Sequence, residues 1–232
     1  MIQKEIPGDA RIQEAEFELR AASSLAYDDL IHAWMSELPV EREILAFAFR
    51  VILAYKNTGA NSFYAVEAKR TDRGEAVVRA SLEAADKARH EIHRMMGFLR
   101  FRESNSARMV AFCEPDHAIL PALGAHFYAR FGQEAWAICD LRRLTALVCD
   151  PPALPALIRF EADDSEFGLA AAMSDEWEQL WQAYHRSVSI ENRTNRRLQR
   201  QLMPLRYWKY LTELYDGAIE GGHDEGRIIH AL

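Results

Sequence analysis

The chain has 232 residues, 49% of them apolar and 27% charged, a globular mix that excludes collagen-like, disordered and disulfide-scaffold proteins. No apolar run approaches the ~18–20 residues of a membrane span, and Met1 to Asp9 carries no hydrophobic segment, so neither a membrane anchor nor a secretory leader is expected. The 28 Lys and Arg against 35 Asp and Glu give a net charge of −7, which argues against simple coating of nucleic acid. Cys113, Cys139 and Cys149 form no CxxC pair and read as reduced thiols of a cytoplasmic protein.

Residues 14 to 56 read as helices. Ser23 or Ser24 caps one that carries Leu25, Leu30, Ile31 and Trp34. Pro39 opens another, with Ile44, Leu45, Phe47, Ala48, Val51, Ile52 and Tyr55 at helical spacing. Asn57 to Asn61 is a loop signal, and residues 75 to 96 form a further helix closed by Gly97. Phe98 to Arg102 and Arg108 to Glu114 then read as a strand hairpin, Pro121 to Phe131 as a helix stopped by Gly132, and Trp136 to Asp140 with Leu144 to Cys149 as a second hairpin. After a Pro-rich break at 150–155, Asp175 to Leu202 reads as a long helix capped by Ser174 and interrupted near Ser187. Pro204 opens another that runs to about Ile219. The predicted class is α+β, mainly helical, with a small central antiparallel sheet in the order β-β-α-β-β. The predicted regions are a helical N-terminal region (1–96), the α+β core (97–150), an acidic linker (151–173) and a helical C-terminal region (174–232) packed on the core.

The charge is unevenly spread. Arg186, Arg193, Arg196, Arg197, Arg200, Arg206 and Lys209 face a single acid, Glu191, over residues 186–209. Residues 161–178 hold seven acids and no base, and residues 87–108 hold six bases and two acids. Such runs are either solvated faces or binding surfaces. On a helix from Ile190 to Leu202, Ile190, Thr194, Leu198 and Leu202 share one side, and Arg193, Arg196, Arg197 and Arg200 share another. Glu191 lies beside the apolar stripe and needs a partner there.

The common nucleotide-binding, zinc-protease and hydrolase signatures are absent. His90 and His93 have a spacing possible for a metal, without a companion motif, and no metal or cofactor is expected. Glu114-Pro115-Asp116-His117 is the densest polar group, either a tied turn or an acid–base site completed by His126. His126 and Arg130 share a helix face. Asp140 with Arg142 and Arg143 offers a structural ion pair or a phosphate contact. In Met203 to Lys209, Tyr207 belongs to the apolar side with Leu211 and Leu214, while Arg206 and Lys209 point outward. Bases interleaved with rings suit single-stranded nucleic acid.

These residues, in order, resemble one bacterial family. The motifs are His93 to Phe101, Glu114 to His117, His126-Phe127, Arg130-Phe131, Trp136 and Asp140, then Ile190 to Arg193 and Met203 to Lys209. The resemblance covers residues 90–143 and 177–211, and the first 85 residues match only loosely. The family is a domain of unknown function described as a "probable DNA metabolism protein". Its members are typically encoded beside a radical-SAM protein of DNA modification or repair, and some are fused to a uracil-DNA-glycosylase-like module that is not expected here. The resemblance implies an accessory protein for a radical-SAM partner, and together with the two basic segments it favours DNA binding, with single-stranded or damaged DNA as the expected ligand. The alternatives are a lesion-processing or nuclease-type enzyme using Glu114, Asp116, His117 and His126, and a protein-binding adaptor. The nucleic-acid contacts expected are Arg100, Arg130, Arg142, Arg143, Arg193, Arg196, Arg197, Arg200, Arg206 and Lys209. Asp140, Glu191, Asn192 and Trp208 are expected to support them. Because buried charges need partners, Arg100, Glu114, His117, His126, Arg130, Asp140 and Glu191 are expected to converge in one cleft.

Overall fold

The computed structural model describes residues 9–58, 62–104, 108–161, 176–190, 193 and 195–214. The class is α+β, mostly helical with a small sheet. The chain divides into two compact units, residues 1–92 with 116–119, and residues 93–115 with 120–232.

The first unit contains α1 (Asp9–Ala22), α2 (Ser24–Met35), α3 (Glu41–Thr58), α4 (Ser62–Arg70) and most of α5 (Ala76–Phe98). Ser23 caps α2 as read, its hydroxyl accepting the Ala26 N–H at 3.1 Å. Leu19, Leu30, Phe47, Val51, Val66, Val78 and Leu82 bring all five helices into one apolar core. Not every periodic residue enters it: Leu25, Trp34 and Leu45 are exposed. Arginines tie the helices around this core. Asp29, buried, accepts from Arg70 Nη1 at 2.6 Å and from Arg89 Nη2 at 2.7 Å. Arg50 reaches Asp72 and Glu75, and Arg73 reaches Asp86. Helix α4 forms in a stretch that the sequence leaves unassigned; among its described side chains only Val66 is fully buried, too thin a stripe to read.

The second unit is built on a five-stranded sheet of β1 (Arg102–Glu103), β2 (Met109–Cys113), β3 (Trp136–Asp140), β4 (Thr145–Cys149) and β5 (Ala156–Arg159), in that spatial order. The sheet is mixed and not wholly antiparallel as expected: β2 and β3 run parallel, with Cys113 opposite Asp140. The cause is α6 (Leu120–Phe131), which carries the chain back to the starting edge between them, as a parallel pair requires. All five residues of β3 are buried, the near-continuous apolar run of a strand covered on both faces. On one face Phe127 and Phe131 of α6 meet Phe101 and Trp136, with ring centroids 4.6–6.3 Å apart. On the other, Val110, Phe112, Ala137, Cys139, Ala146 and Phe160 pack together, with Tyr210 against them.

Several sequence expectations change here. The helix before the sheet runs through Gly97 to Phe98, and Leu99 still donates its N–H to Met95 O at 3.1 Å, so Phe98 to Phe101 is not strand. Phe98 is drawn into a cluster with Met203, Trp208, Leu211 and Leu214 instead. Gly132, by contrast, ends α6 with φ 62, the left-handed stop expected of it. Strand β5 forms inside the segment read as linker, because pairing to β4 outweighs its lack of burial. The long C-terminal helix is interrupted after Val188, close to the break read near Ser187, and continues as two elements, α7 (Glu176–Val188) and α8 (Arg196–Leu202). Asn195 starts α8, its side chain accepting the Leu198 N–H at 3.0 Å, so it is a cap and not a mid-helix residue. Ile190, Leu198 and Leu202 are exposed, and the apolar stripe drawn through them does not form. After Pro204 the chain makes a short 3-10 helix, Leu205–Tyr210. The Ser174 cap and most of the acidic stretch lie outside the described residues, and the helix opened by Pro204 stops at Tyr210, with Leu211 extended, short of the end expected near Ile219. No helix among the described residues is long and apolar enough to cross a membrane.

Candidate functional site

Parallel strands place their C-terminal ends side by side, and residues leaving those ends gather at one edge. Glu114 follows β2, while Asp140, Arg142 and Arg143 end β3 and open its hairpin. Asp140 is fully buried, and its Oδ1 accepts the backbone N–H of Arg142 at 2.9 Å and of Arg143 at 3.2 Å. This is the aspartate signature of a tight turn. Its Oδ2 takes Arg143 Nη1 at 2.8 Å, and the same nitrogen donates to Pro115 O at 2.9 Å. Arg143 thus ties the loop after β2 to the end of β3. The 3-10 helix supplies the rest: Lys209 Nζ donates to Glu114 Oε2 at 2.7 Å, and the Tyr210 hydroxyl donates to the same carboxylate.

Burial pulls Glu114 toward the neutral form, but the hydrogen bonds from Lys209 and Tyr210 and the charges of Lys209 and Arg142 outweigh it. Its carboxyl is held below the usual glutamate value. Burial, then the Glu114 partner, pushes the Tyr210 phenol well above its ordinary value. At neutral pH Glu114 is therefore ionised and Tyr210 protonated. The arrangement fixes the C-terminal segment to the sheet and leaves Arg142 exposed at its rim.

The other expected site residues separate. Asp116 and His117 belong to the first unit, where the buried carboxylate of Glu91 accepts both their backbone N–H groups at 2.8 Å. His117 Nδ1 lies 2.7 Å from Ser36 O. His126 sets its ring edge-on to Phe127, centroids 4.8 Å apart, with Nε2 buried and, among the described residues, without a hydrogen-bond partner. Arg130 is exposed on α6. Arg100 forms a two-pronged pair with Glu213, which is 5% exposed. Trp208 is buried and donates Nε1–H to Met203 O at 2.8 Å. Glu191 and Asn192 lie outside the described residues. Of the described residues expected in one cleft, only Glu114 and Asp140 gather at the strand ends.

Three partners escape a reading of the sequence. Glu91 has a signal: Ala88, Glu91, Ile92 and Met95 share one buried helical stripe, so a carboxylate stands in a core position. Tyr210 and Glu213 have none, since their roles depend on where the 3-10 turn ends.

A second stretch of the chain carries basic groups of a different kind. Arg186, Arg193, Arg196, Arg197 and Arg200 are exposed and, among the described residues, none is paired with a carboxylate. Arg206, also exposed, donates Nη2–H to the Tyr207 hydroxyl at 2.7 Å with its guanidinium 4.5 Å from that ring. On α7 the exposed rings of Trp181 and Tyr184 lie 5.8 Å apart.

No curated protein and no solved structure matches this chain. A family match runs over residues 45–213, beginning well before the motifs at residue 90 and taking in α3 to α5 as well as the sheet. The chain therefore belongs to the family DUF4130, a domain of unknown function.

Proposed function

We propose that this protein is a nucleic-acid-binding accessory of DNA modification or repair, working in the cytoplasm with a radical-SAM enzyme. The observation that carries the binding step is the run of exposed arginines Arg186, Arg193, Arg196, Arg197 and Arg200, unpaired among the described residues. An exposed guanidinium with no carboxylate near it keeps its charge available for phosphate. The net charge of −7 does not cancel this attraction, because screening limits distant acids to about 8–10 Å at physiological salt. The DNA context and the radical-SAM partner rest on the family resemblance of the C-terminal motifs. Binding of the full chain to a labelled oligonucleotide over a salt series tests the reading. Four or five phosphate contacts predict roughly a 50- to 500-fold loss of affinity between 50 and 200 mM salt, the low end for a single strand and the high end for a duplex. No binding at about 50 mM, or an affinity indifferent to salt, overturns it.

A further inference from the structure

Helix α7 sits the wrong way round for a helix that only packs. Gln182 turns inward and donates to Thr212 O at 3.2 Å, while Leu180, Trp181, Tyr184 and Val188, at i, i+1, i+4 and i+8, are 40–59% exposed. Trp181 is nevertheless fixed. Its indole N–H donates to Glu213, and the Arg100 guanidinium, itself held by Glu213, lies 5.5 Å from the ring centroid. The indole is thus locked at one edge while much of its surface stays in water, with the Tyr184 ring tilted 36° beside it. A rigid exposed ring loses little conformational freedom when a planar ligand stacks on it.

We propose that Trp181 and Tyr184 form a base-stacking platform for single-stranded DNA, with the arginines from Arg186 to Arg200 holding the strand's phosphates. The occupant follows from charge: cations follow the apolar face along the chain, so the ligand must offer flat apolar surfaces and negative charge in alternation. Val188 to Arg196 spans at most about 26–29 Å of chain, short enough for one strand of several nucleotides to touch both features. A duplex keeps its bases stacked on each other and would use the arginines alone. The inference rests on the nucleic-acid reading and adds strand preference to it.

The test measures affinities of the full chain for a dT oligonucleotide and for a duplex of equal length, with Tyr184→Ala, Trp181→Phe and Trp181→Ala variants. Tyr184→Ala is expected to weaken single-strand binding about tenfold and leave duplex binding unchanged. Trp181→Phe, which keeps a ring, should lose less than Trp181→Ala. Thermal melting identifies any loss due to unfolding, to which Trp181→Ala is more exposed because its ring bonds to Glu213. Equal affinity for both nucleic acids, with neither ring mattering, sinks the platform and leaves the arginine reading standing. No binding to either sinks both. If the ring variants instead dissociate a dimer in sedimentation without changing DNA affinity, this face joins copies of the chain and the platform is wrong.

Discussion

The helical unit and the C-terminal segment use arginine in opposite ways. In the first, Arg50, Arg70, Arg73 and Arg89 each meet a carboxylate elsewhere in the unit, and Asp29 serves two of them from a buried position. In the second, Arg186, Arg193, Arg196, Arg197 and Arg200 meet none among the described residues. The first set is matched by nearby acids and so becomes scaffold. The second sits in a stretch from which acids are almost missing and so stays without a carboxylate partner among the described residues. Local balance between opposite charges, more than the total, separates arginines held in ion pairs from arginines left exposed.

Four measurements bear on this contrast. The largest effect is expected at Asp29. Asp29→Ala leaves Arg70 and Arg89 without their buried partner and is expected to cost about 3 kcal/mol in urea denaturation, the low end for a buried pair because both arginines reach solvent. DNA affinity of the folded fraction should not change. Glu91→Ala strips two backbone N–H groups of their acceptor and is expected to cost about 2 kcal/mol by the same measurement. A loss below about 0.5 kcal/mol would mean that water replaces the carboxylate there.

The third effect is one of pH. Glu114 and Glu213 are both held below the ordinary glutamate value of 4.5, so their folded forms prefer ionisation more than the unfolded chain does. The stability they give is complete well above that ordinary value and is lost as pH falls through the lowered ones. Thermal melts from about pH 6 down to about pH 3 should show this decline, shallower in Glu114→Gln. The smallest effect is expected at Arg196→Ala, within about 0.5 kcal/mol of the parent, because its side chain is exposed and has no carboxylate partner among the described residues. A larger loss would move Arg196 to the scaffold set.

Much of the fold is legible in the sequence because its signals are local. Ser23 caps its helix, Gly132 stops α6, and β3 and β4 form the hairpin expected of them. What escapes depends on distant partners. The antiparallel expectation fails between β2 and β3 because strand direction is set by the crossover through α6 and not by either strand's pattern. Strand β5, exposed along its whole length, carries no alternation to read and exists by pairing with β4. The candidate site divides in the same way. Asp140 with Arg143 is visible as a pair three residues apart, and Tyr207 is visible as core. The bond between Glu114 and Lys209, 95 residues apart, requires the fold. The helical wheel drawn from Ile190 groups Arg196, Arg197 and Arg200 on a helix that does not continue that far back, since Asn195 caps the chain there.

Whether the arginines of the C-terminal segment hold phosphate is measured most directly by the log–log salt slope of DNA affinity. The slope is compared between the parent chain and Arg196→Ala/Arg200→Ala, each checked by thermal melting. The expected result is an unchanged melt, weaker binding to every sequence alike, and a slope shallower by roughly 1.4–1.8, two phosphate contacts' worth. An unchanged slope and affinity, or a double variant that unfolds, would contradict phosphate binding by these side chains.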